Sequence, residues 1–75
     1  MNLQLKKQRA GLFRKLRGIL IPKLSEVLDL PKIIIEENIK YRYCFNSFTE
    51  LTNYELSYFC EYISLWLYFY GIEID

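Results

Sequence analysis

The segment from Asn53 to Tyr70 constrains this chain more than any other. Thr52-Asn53-Tyr54-Glu55 is a capping box, in which a hydroxyl and a carboxylate reciprocally satisfy free backbone amides, and Gly71 is a helix stop. The spacing between them predicts one long helix with two apolar stripes. Leu56, Phe59, Ile63, Trp66, Leu67 and Tyr70 form the first, suited to a core. Tyr54, Tyr58, Tyr62, Leu65 and Phe69 form a second beside it. Only Asn53, Ser57, Glu61, Ser64 and Tyr68 remain for a polar face. A helix apolar over most of its circumference is either central to its domain or covered by another chain.

Length makes the first option difficult. The chain has 75 residues, 17% of them aromatic. Surface scaling lets a chain of this size bury roughly 60% of its unfolded surface, enough for one modest core. We therefore read residues 1–75 as a single small domain. A partner is expected over the second stripe, either another protein or a second copy in a homodimer.

The net charge of +1 conceals a division. Residues 1–25 contain seven cations and no acid, whereas residues 26–75 contain three cations against nine acids. The basic half reads as an amphipathic helix over residues 3–20. Leu5, Leu12, Phe13, Leu16, Ile19 and Leu20 fall within about a third of the circumference at 100° per residue. Lys6, Lys7, Arg14, Lys15 and Arg17 take the remaining arc, and Arg9 intrudes on the apolar one. Gly18 is a candidate end for this helix, and Pro22 a candidate start for a short second one. Its inner side would carry Leu24, Val27 and Leu28, and Pro31 would end it.

Residues 32–45 read as a β-hairpin. Ile33, Ile34 and Ile35 are β-branched, and Ile39 to Phe45 alternate apolar with polar. A three-residue loop at Glu36-Glu37-Asn38 puts Ile33, Ile35, Ile39, Tyr41 and Tyr43 on one buried face. The expected fold is thus α+β: a basic N-terminal helix, a short second helix, a hairpin and a long aromatic helix. An all-α bundle is the alternative, should residues 32–45 turn helical. Ser47-Phe48-Thr49-Glu50 offers a second capping box and a short helical turn, and residues 72–75 either a short strand or a free tail.

Chemistry has little to work with. The chain has no His, and Cys44 and Cys60 alone cannot make a four-ligand zinc site. No nucleophile elbow, phosphate loop or carboxylate cluster is present. Neither enzymatic activity nor a cofactor is expected. No secretory signal is evident, and the longest apolar run is too short to span a bilayer. Reduced cysteines and a cytoplasmic location follow as expectations.

Ser47 to Leu56 resembles the helix openings of small phage regulatory proteins, but capping sequences of this kind are widespread and assign no family. The function expected is that of a small non-enzymatic interaction protein. It would act as an accessory or inhibitor of the phage or mobile-element type, docking on a larger protein or nucleoprotein. The stripe Tyr54, Tyr58, Tyr62, Leu65 and Phe69 would make the contact. The alternative is direct DNA or RNA binding by Lys6, Lys7, Arg14, Lys15 and Arg17. A membrane surface ranks below both, because the basic helix must also supply core contacts.

Overall fold

The computed structural model describes residues 3–73, and they contain no strand. Helix α1 (Leu3–Lys15) runs without a break through a π-helical turn (Leu16–Leu20) into α2 (Ile21–Leu28). Helix α3 (Lys32–Tyr43) folds back from it, a 3₁₀ turn (Phe48–Glu50) follows, and α4 (Asn53–Phe69) completes the domain. Asn53 Nδ2 donates to the Leu5 carbonyl at 3.3 Å, and Cys60 Sγ lies 3.7 Å from the Leu12 carbonyl. The last helix therefore runs parallel to the first. The Cα trace spans 39 × 27 × 15 Å, so the domain is only about two helices deep at its thinnest. Every helix reaches the surface.

Gly18 does not end the first helix. The amide of Ile21 donates to the carbonyl of Leu16, five residues back, and the next residue, Pro22, has no amide to donate. The wider turn also corrects a phase error. At 100° per residue, Ile21, Leu24, Val27 and Leu28 would lie about a quarter-turn away from Leu12, Phe13 and Leu16. Accommodating one extra residue takes back about that much rotation. Leu16, Leu20, Ile21 and Leu24 are all fully buried as a result. Asp29 then ends α2 in the left-handed conformation, at φ 55°, and Pro31 is the N-cap of α3.

The hairpin expectation is overturned, and with it the α+β class: residues 32–43 are helical, and the three-residue loop does not exist. Ile35 and Ile39 are buried, at 5% and 8% exposure, while Ile33, Ile34 and Tyr41 face solvent. The apolar residues that look scattered on a helical wheel conceal a narrow stripe at i, i+4 and i+8: Ile35, Ile39 and the partly covered Tyr43. Such a stripe is enough for a helix lying on the edge of a small core. A lone two-stranded hairpin is marginal in water, whereas a helix satisfies its own backbone. Lys40 adds an ion pair to Glu37 at 2.8 Å, and Lys40 and Arg42 suit the negative end of the helix.

The ends of α4 follow the sequence. Thr52 Oγ1 accepts from the Glu55 amide at 3.1 Å, and Glu55 Oε1 accepts from the Thr52 amide at 2.8 Å. The second expected box is a variant: Ser47 Oγ accepts from Thr49, while Glu50 reaches the amide of Asn46. At the other end Ile72 N–H bonds to Leu67 O and Gly71 N–H to Tyr68 O, with Gly71 at φ 82°. Ile72 packs against the core rather than forming a strand, while Ile74 and Asp75 lie outside the described residues. Leu56, Phe59, Cys60, Ile63 and Leu67 make the buried side of α4. Trp66 is only half-buried and Tyr70 is exposed, so the core stripe is narrower than the sequence pattern suggests.

Candidate functional site

With the buried side of α4 fixed by Leu56, Phe59, Ile63 and Leu67, the neighbouring stripe turns outward. Tyr54 is 83% exposed and Phe69 78%, and Tyr58, Tyr62 and Leu65 are exposed between them. These five side chains form one face. Tyr58 and Tyr62 stack with ring centroids 6.2 Å apart and planes 23° apart, and Tyr62 meets Trp66 edge-on at 6.2 Å. The rings thus pack against each other along the helix.

Two members of the face were not legible in the sequence. Trp66, expected in the core, lines a shallow hollow with Tyr62, Leu65 and Phe69. Tyr43, expected on a hairpin, comes from the end of α3 and sets its ring edge-on to Phe59 at 4.9 Å. Its hydroxyl is held above its ordinary acidity range, first by burial and then by the neighbouring Tyr62 and Tyr58. A helical reading of residues 32–43, with its i, i+4, i+8 spacing, would have brought Tyr43 forward.

The basic residues do not form one surface. Lys6, Lys7 and Arg14 are exposed. Lys15 is half-buried on the α4 side, where its charge acts on the Cys60 thiol. Arg17 faces α3, where it bonds Glu36 at 3.2 Å and lies 5.6 Å over the Phe48 ring. Arg14 and Arg17 share an open groove with Lys32, and Glu36 offsets part of their charge. Arg9, which intrudes on the apolar stripe, serves the fold by reaching Asn53 and the Thr49 carbonyl.

Both cysteines are free thiols, Cys44 exposed and Cys60 buried. Cys44 caps α3 in the left-handed conformation at φ 60° rather than lying on a strand. Burial pushes the Cys60 thiol up from its ordinary value. Among the described residues no helix is long and apolar enough to cross a membrane, and no three His, Cys, Asp or Glu side chains converge as metal ligands would. What this surface presents is a row of exposed aromatic rings along α4. No family model, curated protein or solved structure matches the chain.

Proposed function

We propose that this chain is a small non-enzymatic interaction protein that docks on a larger protein or nucleoprotein through Tyr54, Tyr58, Tyr62, Leu65 and Phe69, with Tyr43 and Trp66 extending the face. One observation carries the reading: five large side chains are exposed side by side on a single helix of a domain two helices deep. Tyr and Trp are favoured at binding hot spots because each combines a large area with a polar handle and few rotamers. The size of the face favours a larger partner over a second copy. Helix α4 is about 25 Å long, so its outer face offers about 400 Å². A standard interface covers about 800 Å² per partner, which a larger protein can complete by also touching α3 and the connecting loop. Two free thiols suit a reducing compartment, and the reading places the protein in the cytoplasm.

The test is a double replacement, Tyr58→Ser and Tyr62→Ser, in the full chain. The variant should retain its helical circular dichroism while its affinity for a purified, identified partner falls at least tenfold. An unfolded variant together with a chain that captures no partner would make the face part of the core. Affinity for nucleic acid that falls steeply with salt and is indifferent to the double replacement would select the basic helix instead. Dimerisation lost in the variant would make the partner a second copy.

A further inference from the structure

The aromatic face begins in a pocket between the end of α3 and the first turns of α4, and its chemistry is distinct from the rest. Tyr43, Tyr54, Tyr58 and Phe59 line it, and Glu50 and Glu55 stand among them. Phe59 receives Tyr43 edge-on at 4.9 Å and 80°, and Tyr58 edge-on at 5.4 Å and 76°. The rings are therefore mutually inclined instead of closing against one another in a stack. The face of an aromatic ring carries the negative part of its quadrupole.

The two carboxylates are only half used by the fold. Glu50 Oε2 accepts from the Asn46 amide at 3.0 Å, and Glu55 Oε1 accepts from the Thr52 amide at 2.8 Å. Each keeps a second oxygen. Among the described residues neither has a basic partner: the ion pairs are Arg17–Glu36, Lys23–Glu26 and Lys40–Glu37. The chain has no Lys or Arg after Arg42, so α4 brings acids and no cation to the pocket, and the cation that acts on its lining is Arg42, next to Tyr43 at the end of α3. Helix ends add little net bias. The negative end of α3, at Tyr43 and Cys44, opposes the positive end of α4, which its own capping box already satisfies.

Aromatic walls with unpaired carboxylates are what a desolvating cation requires, since ring faces and carboxylates both attract it while the rings cover its carbon stem. We propose that this pocket receives a cationic side chain, an arginine or lysine presented by a basic segment of the partner protein. The proposal rests on the reading of α4 as a docking face and adds the chemistry of what docks there. Capping explains one oxygen of each glutamate and would be served equally by glutamine. It does not explain Tyr43, Tyr54 and Tyr58 gathered beside them, over a floor made by the core residue Phe59.

The probes are N-acetyl-arginine amide and N-acetyl-lysine amide, titrated into the isotopically labelled full chain and followed by amide resonances. N-acetyl-leucine amide is the uncharged control. The expected result is saturable shifts at Tyr43, Cys44, Tyr54, Glu55 and Tyr58 with the cationic probes only, weakening as salt is added. Glu50→Gln with Glu55→Gln preserves both amide acceptors, and should raise the dissociation constant at least fivefold with unchanged circular dichroism. Equal shifts with the leucine probe, shifts scattered over remote carboxylates such as Glu26 and Glu73, or indifference to the double Gln variant would each overturn the proposal. Partner binding separates this from the broader reading. Loss with Leu65→Ser and Phe69→Ser, outside the pocket, but not with the Gln pair would keep the docking face and remove the cation receptor.

Discussion

Arg9 and Asn53, forty-four residues apart, are joined by a 3.1 Å hydrogen bond from Nη1 to Oδ1. The other terminal nitrogen of Arg9 donates to the Thr49 carbonyl at 2.8 Å, and its guanidinium lies 5.1 Å from the centre of the Phe13 ring. Asn53 in turn donates to the Leu5 carbonyl. One cation thus ties the start of α1 to the start of α4, which is why it interrupts the apolar stripe. Arg9→Ala should cost about 1–2 kcal/mol of stability in urea unfolding. Arg9→Lys should recover only part of this, because an ammonium cannot reproduce the fork that spans Asn53 and Thr49. A double-mutant cycle with Asn53→Ala should return a coupling of about 1 kcal/mol. Strict additivity would show the contact to be incidental.

The π turn makes a prediction about length. Deleting Gly18 removes the extra residue and lets α1 and α2 continue as one α-helix with Leu16, Leu20 and Leu24 still on the core side. This deletion should keep the helical signal and change stability by less than about 1 kcal/mol. Deleting Gly11 instead rotates Leu5 and Arg9 by about 100° off their partners and should cost more. Unfolding midpoints measured side by side decide it, and the reverse ranking would show that the π turn does not set the phase.

The two thiols should behave oppositely. Cys44 should react with a thiol reagent in the native protein, and Cys60 only on unfolding, giving one fast and one slow equivalent. Burial, opposed in part by Lys15 and reinforced by Glu61, raises the Cys60 thiol above its ordinary value of 9.0. The unfolded chain therefore ionises first as pH rises. The stability linked to this group is complete below pH 9 and is lost as pH climbs through the raised folded value. Cys60→Ala should flatten the early part of that decline. Tyr43, raised in the same sense from 10.0, should extend it at higher pH.

Ser64 contributes the opposite kind of test. Its hydroxyl oxygen is buried on α4 without a hydrogen-bond partner. An unsatisfied buried hydroxyl costs about 1–3 kcal/mol, and alanine is the better helix former. Ser64→Ala should therefore stabilise the domain by about 1 kcal/mol or more, read as an upward shift of the thermal midpoint. A downward shift would mean that the hydroxyl is satisfied in solution.

The sequence by itself determined both ends of α4 and the break between α2 and α3. Pro31, the Thr52–Glu55 box and Gly71 act through bonds and clashes within a few residues of themselves, so their effect survives any tertiary setting, whereas Pro22 starts no separate helix because α1 continues through the π turn into α2. It also determined the outward stripe of α4, because a run with this much apolar surface exceeds what 75 residues can cover. Only the tertiary structure decided the state of residues 32–43. Their β-branched and alternating residues favour a strand locally, yet burying Ile35 and Ile39 against the core requires a helix, and packing outweighs a propensity worth tenths of a kcal/mol per residue. Packing likewise selected the π turn, because no residue at 16–20 demands one until both flanking stripes must face the same core. The role of Arg9 was equally out of reach, since its partners at Thr49 and Asn53 come near it only when α1 and α4 lie side by side. Local chemistry sets the ends of α4 and the break before α3, and competition for a shared interior sets the number, phase and partners of the helices.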